Sequence, residues 1–258
     1  MSKIIAVYGS PGSGKSAFSV ALAAQLSKRS NVVLLSTNRV VPMLKVLVPS
    51  TQIDRSMSVG TLFTGISMTQ EDICKRILFH PKCQNLGYSA FATGDTPNTY
   101  SGGYDSGGYR SIFTPDKMQT FFSVLLSLTD YIIADCTSNP TPMNDPLGSV
   151  ALANASKAIE LLTADLAGIE YHTAMLPLLR ETVEPEKNIT AFGRVNPSLH
   201  PVSEVSTAIK LPVEYELRES AEIADFFLSG QFPVGSHTQE GKSYLSEVKR
   251  IKEALETR

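Results

Sequence analysis

The chain of 258 residues contains no tryptophan, three cysteines and four histidines, and these shortages exclude several classes of site. Cys74, Cys83 and Cys136 are odd in number and show no C-x-x-C spacing, which predicts reduced thiols, not disulfides or zinc ligands. The histidines lie far apart in the sequence, so neither a metal centre nor a catalytic triad is indicated.

Charge and long apolar runs are also scarce. The net charge of -2 gives no bulk attraction to nucleic acid or anionic lipid, so a nucleic-acid partner is not expected. No apolar run approaches the roughly 20 residues that span a bilayer. The first residues, "MSKIIAVYGS", reach a glycine turn too soon for a signal peptide. We therefore expect a soluble cytoplasmic protein, whose hydrophobic fraction of 42% suffices for a sizeable core.

Strand-like and helix-like segments alternate along the chain. Short apolar runs predict strands at 3–9, 31–37, 131–138, 157–163, 188–194 and 210–215. Helical propensity and a 3.6-residue apolar period predict helices at 15–29, 69–80, 114–130, 166–180, 216–229 and 242–258. This alternation is typical of an α/β fold with a mostly parallel central sheet flanked by helices on both faces. No linker divides the chain, so we expect one domain over 1–258.

The stretch "YSGGYDSGGYR" (100–110) doubles the sequence S-G-G-Y and is the one low-complexity feature. Its glycines argue against the interior of a helix or a strand, which predicts a loop. Two interpretations stay open. The segment is either a mobile surface loop, or a flexible lid or partner loop whose tyrosines supply contact area.

The segment "GSPGSGKS" (9–16) fits the phosphate-binding pattern G-x-x-x-x-G-K-[ST], between a predicted strand and a predicted helix. In such a loop the backbone N–H groups and the positive end of the helix hold phosphates. We predict that Lys15 neutralises the β- and γ-phosphates of a nucleotide and that the Ser16 hydroxyl ligates Mg²⁺. The candidate cofactor-binding residues of this loop are Gly9, Pro11, Gly12, Ser13, Gly14, Lys15, Ser16 and Ala17.

Asp135 closes the apolar strand "YIIAD" and is the predicted second half of the site. A carboxylate at the C-terminal end of a strand can hold the hydration shell of Mg²⁺, as the second motif of P-loop proteins does. Lys15 and Asp135 are therefore the catalytic candidates, and Ser16 and Asp135 are the metal-binding candidates.

On these motifs the chain resembles the MinD/ParA family of P-loop ATPases, and within it the atypical CpaE/TadZ-type members linked to pilus assembly and secretion. "DYIIADCTS" stands where the family has its Walker-B-type strand, and "GRVNPS" (193–198) resembles a segment that lies beside the adenine. "LPVEYELRESAEIADFFLSGQFPV" (211–234) resembles the family's late strand, helix and G-x-P ending. The resemblance implies a SIMIBI-like P-loop NTPase fold, with ATP or ADP and Mg²⁺ as cofactors. It adds Arg194, Asn196 and Pro212 as cofactor-binding candidates, with Glu214 beside Pro212.

Family members are ATP-dependent dimers that sandwich nucleotide and organise other proteins, often at the membrane. The resemblance therefore implies a homodimer with protein partners in a larger assembly, cytoplasmic or peripheral at the inner face of the membrane. The C-terminal segment 242–258 is amphipathic, but it has few bulky residues and as many acids as a solvated face needs. This composition favours docking on the protein's own core over membrane binding.

Three departures from the family pattern concern hydrolysis. Ser10 stands in place of the family's first lysine, which in typical members reaches the partner's phosphates, and Pro11 replaces a glycine. Ser36 and Asn38 replace two strand-end aspartates that help to position Mg²⁺ and the attacking water. Cys136, not proline, follows Asp135. Because a transition-state cation can be worth roughly 10³ to 10⁵ in rate, these losses predict an ATP-binding protein that hydrolyses slowly.

Two other functions stay open. A P-loop kinase or ligase acting on a small molecule needs a substrate pocket and usually an arginine-rich lid, and the 85–113 region has one arginine, Arg110, which argues against this class. The other is a degenerate scaffold that binds nucleotide poorly or not at all.

Overall fold

The computed structural model of the protein describes residues 2–49, 51–65, 67–81, 83–93, 101–105, 108–196, 202–231, 233 and 235–256, with the backbone alone over 101–111. The strands in this part are β1 (Lys3–Gly9), β2 (Val32–Ser36), β3 (Leu78–His80), β4 (Cys83–Ala90), β5 (Ser101–Asp105), β6 (Gly108–Ser111), β7 (Tyr131–Asp135), β8 (Lys157–Leu162), β9 (Asn188–Val195) and β10 (Tyr215–Arg218). The helices are α1 (Lys15–Leu26), α2 (Leu44–Leu47), α3 (Thr61–Thr64), α4 (Gln70–Cys74), α5 (Pro115–Leu128), α6 (Pro146–Ala153), α7 (Leu166–Thr182), α8 (Val202–Ile209), α9 (Ala221–Leu228) and α10 (Gln239–Glu256).

Eight strands form one sheet in the order β10-β9-β8-β1-β7-β2-β4-β3. Every neighbouring pair is parallel except β3 and β4, which are antiparallel. The carboxyl ends of the parallel strands therefore meet at one edge, where ligands of open α/β sheets bind. The predicted fold class, a mostly parallel sheet flanked by helices, is confirmed.

The alternation of side chains along β1 explains why both faces of the sheet are covered. Ile5 and Val7 belong to the core on the side of α1 and α10, whereas Ile4, Ala6 and Tyr8 belong to the core on the side of α5, α6 and α7. A strand that is buried on both faces is apolar without interruption, as "KIIAVYG" nearly is.

The C-terminal helix α10 packs on the protein's own core. It packs against α1 and β10, and the residues of its apolar face are buried: Tyr244, Leu245, Val248, Ile251 and Leu255. The predicted docking of this helix on the core is confirmed. No helix in the described ranges combines the length and the apolar character that crossing a membrane requires.

Glu222, in the first turn of α9, holds the start of α10. Its carboxylate accepts hydrogen bonds from the backbone N–H groups of His237, at 2.9 Å, and Thr238, at 3.2 Å, and from the hydroxyls of Ser236 and Thr238. These bonds favour the charged form and lower the pKa of Glu222 to about 2. We call this set of bonds the Glu222 latch.

The helix predicted over 69–80 is wrong in its second half. The Thr69 cap and its capping box with Asp72 start α4, but the helix ends at Cys74. Residues 78–80 instead form β3, whose Leu78 and Phe79 pair with Tyr88 and Gly87. The apolar spacing of this segment is compatible with a helix or with a strand. Residues 78–80 form a strand because their main chain pairs with β4 at the edge of the sheet.

Two further predictions need correction. The strand predicted at 210–215 is instead Tyr215–Arg218, and the helix expected from 216 begins only at Ala221. The Gly/Tyr-rich segment, predicted to be a loop, contains the antiparallel strands β5 and β6, which form a separate sheet. Glycine weakens a strand but leaves its ladder of main-chain hydrogen bonds intact. Residues 100, 106 and 107 lie outside the described ranges.

Candidate functional site: a P-loop at the carboxyl edge of the sheet

The phosphate-binding loop connects β1 to α1 with backbone angles that glycine tolerates best. Gly14, which precedes α1, has φ 86°, and Gly9 has φ 147°. A Cβ on Gly9 would stand 1.9 Å from the carbonyl oxygen of Leu161. No side chain caps the start of α1, so its first N–H groups are available to a bound anion.

Lys15 is folded back against its own loop. Its ammonium donates to the carbonyl oxygens of Gly9, at 3.0 Å, and Ser10, at 2.9 Å, and to Ser138 Oγ at 2.9 Å. Burial lowers the pKa of Lys15, and the charge of Asp135 partly opposes that shift. A phosphate group would give this cation an anionic partner in place of neutral oxygens.

Asp135 lies at the end of β7, between β1 and β2, and is buried. Its carboxylate accepts hydrogen bonds from the hydroxyls of Ser16, of Ser19 at 3.4 Å and of Ser36 at 3.5 Å. Burial raises the pKa of Asp135 to about 6, against the opposing effects of the Ser16 hydroxyl and Lys15. Hydroxyl and carboxylate oxygens are ligands that Mg²⁺ prefers, so Ser16 and Asp135 together fit this ion.

Ser10 is fully buried and faces the neighbouring strand. Its Oγ accepts a hydrogen bond from the backbone N–H of Thr163 at 2.9 Å, just after β8, and its own N–H donates to the carbonyl oxygen of Leu161 at 3.0 Å. Ser13 Oγ donates to the Ser10 carbonyl at 2.8 Å. This corner of the loop is therefore built from contacts within the chain, and Ser10 does not project outward.

Ser36 and Asn38 also serve local structure. The Ser36 hydroxyl donates to Asp135. Asn38 Oδ1 accepts hydrogen bonds from the backbone N–H groups of Val40, at 3.0 Å, and Val41, at 2.9 Å. Asn38 lies beside the loop in the wall of the cavity described below. At these two positions the structure has neutral groups and no carboxylate.

A second buried aspartate, Asp145, joins the ends of β2 and β7. It accepts from Thr37 Oγ1 at 2.7 Å, from Thr137 N–H at 2.9 Å and from Gly148 N–H at 2.8 Å, and it caps α6. Burial raises its pKa against these bonds. Sequence reasoning missed this residue, although "NDPLG" has the cap and first-turn proline of a helix start.

A cavity of about 620 Å³ opens beside the loop, within the range of small-molecule and cofactor sites. Residues 12–17 and Asp135 form its polar end, and Ile223 and Phe227 of α9 form an apolar wall. Tyr244 of α10 closes that wall; it is 6% exposed, and its hydroxyl has no hydrogen-bond partner among the described residues. An apolar wall with one polar group suits a heteroaromatic base.

Arg194 lies where the sequence predicts, next to the loop. Its guanidinium pairs with Glu219 at 2.6 Å and donates to the Gly12 carbonyl oxygen at 3.4 Å. Its φ of 53° is unusual for a residue with a side chain. Arg194 and Glu219 both line the cavity.

The structure does not bring Asn196 and Pro212 into this cavity. Asn196 follows β9 and is half-buried, but it is not part of the cavity wall. Pro212 and Glu214 precede β10, so they lie towards the amino end of that strand and line a different cavity. The residues that follow the carboxyl end of β10 and do line the site are Glu219 and Ser220. The placement of Pro212 at the base is thus corrected by the later start of β10.

Several solved structures share this architecture. A ParA family ATPase from Chlorobium tepidum superimposes with a TM-score of 0.74, at 16% identity, over 97% of this chain and 99% of its own. The chain has the fold of that ATPase. The septum site-determining protein MinD from Pyrococcus horikoshii, complexed with Mg-ADP, gives a TM-score of 0.72 at 14% identity, over 100% of this chain and 97% of its own.

A putative plasmid partition protein from Borrelia burgdorferi bound to AMPPNP gives a TM-score of 0.71 at 16% identity, over 98% of this chain and 100% of its own. No protein-family model and no curated protein sequence matches the chain. At these identities the likeness to the solved structures is one of fold.

Proposed function

We propose that this protein binds ATP and ADP, with Mg²⁺, at the loop formed by residues 9–16. The observation that carries the proposal is the joint placement of Lys15, Ser16 and Asp135 at one end of a 620 Å³ cavity whose other end is apolar. Phosphates would bind the loop N–H groups and Lys15, and Ser16 and Asp135 would hold the metal ion. When bound, Mg²⁺ neutralises phosphate charge.

The ligands of two structural neighbours support this choice of nucleotide. The Pyrococcus horikoshii protein is complexed with Mg-ADP, and the Borrelia burgdorferi protein is bound to AMPPNP. Both proteins share the fold over nearly the whole chain. An adenine nucleotide is therefore the ligand to test first.

Hydrolysis is proposed to be slow. Ser10 is buried against Thr163, so this position supplies no cation to a second chain. Ser36 and Asn38 are neutral and engaged in local hydrogen bonds. Positioning and charge neutralisation account for most of phosphoryl-transfer catalysis, whereas ground-state binding needs only the loop, Lys15 and the metal ion.

The proposed cellular role is that of a nucleotide-gated homodimer or scaffold that positions partner proteins. Two observations on neighbours support it: the fold is shared with MinD of Aquifex aeolicus, and one neighbour is the MinC:MinD complex of that organism. The narrower assignment to a pilus, secretion or conjugation machinery, as for CpaE/TadZ-type proteins, is supported by the sequence resemblance alone.

Isothermal titration with ATP, ADP and AMPPNP in the presence of Mg²⁺ tests nucleotide binding. The wild type should bind, and Lys15→Ala should bind at least about tenfold more weakly, since a hydrogen bond to a charged group contributes about 1.5–3 kcal/mol. Lys28→Ala, on an exposed lysine of the turn after α1, is the matched control. Absence of binding by the wild type would contradict the proposal.

The same samples test the slow turnover and the gating. Steady-state turnover of several per second without a partner would overturn slow hydrolysis. Light scattering should show the molecular mass of a dimer with AMPPNP and of a monomer without nucleotide. The same molecular mass under both conditions would overturn the proposal that nucleotide controls dimerisation, but not the proposal that the protein binds nucleotide.

A further inference from the structure

A second cavity lies between α7, the first residues of β9 and the connection from α8 to β10. Its volume is about 380 Å³, within the range of small-molecule sites. It shares no lining residue with the P-loop cavity. We call it the α7 cavity.

His172 lines the α7 cavity and is paired with the buried Glu160. His172 of α7 is 4% exposed and Glu160 of β8 is fully buried. His172 Nδ1 lies 3.0 Å from both carboxylate oxygens of Glu160. The carboxylate can only accept, so Nδ1 carries the proton and the opposite edge of the ring, with Nε2, is left for the cavity that His172 lines.

Two more polar residues of the cavity lining lie on β9. Thr190 pairs with Glu160 across the β8–β9 ladder, is 9% exposed, and its hydroxyl has no hydrogen-bond partner among the described residues. Asn188 Oδ1 accepts a hydrogen bond from Tyr8 Oη at 3.1 Å. The amide N–H groups of Asn188 have no hydrogen-bond partner among the described residues. His172, Thr190 and Asn188 thus present three hydrogen-bonding groups to one cavity, which points to a ligand with a polar head group.

The remaining walls are apolar and the rim is balanced in charge. Leu176, Leu179 and Leu211 line the body of the cavity. One cation, Arg180, and one anion, Glu214, stand at its exposed rim. Because these walls are apolar, an ionised head group would lose its hydration on entering the cavity, which disfavours a charged ligand.

We propose that the α7 cavity binds an uncharged, mainly apolar small molecule whose one head group both donates and accepts hydrogen bonds, such as a primary amide. The head group accepts from the Asn188 amide and donates to His172 Nε2, and the Thr190 hydroxyl serves either role. The apolar body packs on the leucines. This site goes beyond the proposed nucleotide function and does not depend on it.

Benzamide is the probe, and benzoate is its charged counterpart of nearly the same shape. In ¹H–¹³C NMR of the full chain, benzamide should shift the ring signals of His172 and the methyl signals of Leu176 and Leu179 in a saturable manner. Benzoate should bind at least about tenfold more weakly, because an ionised carboxylate loses more hydration than a neutral amide when it enters an apolar cavity. Unshifted signals with benzamide, or equal binding of benzoate, would overturn the proposal.

Two variants keep the test decisive. Thr190→Val retains the shape of the side chain and removes the hydroxyl, so it should bind benzamide several-fold more weakly. The control is Thr173→Val, on the exposed face of α7, which should bind benzamide as the wild type does. Leu176→Trp fills the cavity and adds the only tryptophan of the chain, whose blue-shifted emission shows that the ring is buried. Undiminished benzamide binding by Thr190→Val, or by folded Leu176→Trp, contradicts the site.

Discussion

The hydroxyl of Ser10 accepts a 2.9 Å hydrogen bond from the backbone N–H of Thr163, and this bond ties the phosphate-binding loop to the end of β8. Ser10→Ala removes the acceptor and leaves the Thr163 N–H without it. We expect the free energy of unfolding to fall by about 1–3 kcal/mol, the cost of an unsatisfied buried donor. Urea unfolding measures the change.

The control for Ser10→Ala is Ser123→Ala, at an exposed position of α5, which should leave the midpoint of unfolding nearly unchanged. Ser10→Lys, which restores the residue of the typical ATPase loop, should destabilise the chain further, because the site is fully buried and has no room for the longer side chain. A stable Ser10→Lys protein with faster ATP hydrolysis would contradict this account of the loop.

The raised pKa of Asp135 predicts a pH-dependent stability. The folded pKa is about 6 against an ordinary value of 3.8, so the folded chain binds the extra proton between these values. Stability therefore declines as pH rises through this window. Between about pH 4 and pH 7.5 the nucleotide-free wild type should lose about 2–3 kcal/mol more than Asp135→Asn, which does not titrate.

Urea unfolding of the wild type and Asp135→Asn at a series of pH values measures this difference. Asp225→Asn, at an exposed position of α9, removes a carboxylate of the same kind and serves as the control. Parallel pH profiles for the wild type and Asp135→Asn would show that the carboxyl is not held in its neutral form by burial.

Tyr244 offers a test of the apolar end of the nucleotide cavity. Its hydroxyl is unpaired within the described part of the chain and its ring closes the cavity wall. Tyr244→Phe keeps the ring, so we expect the affinity for ATP to fall about 2- to 10-fold, as for one neutral hydrogen bond. Titration calorimetry with ATP measures the loss.

Tyr131→Phe is the matched control, because Tyr131 stands at the amino end of β7, away from the phosphate-binding loop. Its ATP affinity should equal that of the wild type. Unchanged ATP affinity in Tyr244→Phe would mean that the base does not reach the wall formed by α10, while a simultaneous loss of stability would point to a structural hydroxyl.

The Glu222 latch predicts how α10 is held. Glu222→Ala removes the acceptor of four donors at the start of the helix, so amide hydrogen exchange over 239–256 should become faster than in the wild type. Glu240→Ala, in the first turn of α10, should change this exchange little. Unaltered exchange in Glu222→Ala would show that apolar packing alone fixes the helix.

Acid should release the latch as well. The folded pKa of Glu222, about 2, lies below the ordinary 4.5, so its contribution to stability is present above 4.5 and is lost as pH falls towards 2. Exchange over α10 in the wild type should then approach that of Glu222→Ala at the acid end of the range.

The polar half of the nucleotide site could be predicted from the sequence because its residues lie in two short segments, each directly after the end of a strand. The pattern around Lys15 fixes a turn, a cation and a helix start within eight consecutive positions, and an aspartate that closes an apolar strand is equally visible. The parallel sheet then places β1 and β7 side by side, as their register shows.

The apolar half could not be predicted, because it depends on packing between distant segments. Tyr244 reaches the cavity only because α10 docks on α1 and β10, and no local pattern distinguishes it from any buried tyrosine. Pro212 was misplaced because β10 starts five residues later than its apolar pattern suggests. Glu160 in the apolar strand "KAIELL" did offer a sign, since a buried carboxylate needs a partner.

The two outermost strands of the sheet are its shortest. At one edge β3 has three residues, and at the other β10 has four and an irregular register opposite β9. A short or distorted edge offers few consecutive main-chain groups to a strand of another molecule. The sheet is thereby protected against edge-to-edge growth, and the exposed Glu216 and Arg218 of β10 add charge at that edge, so concentrated samples should resist aggregation through strand pairing.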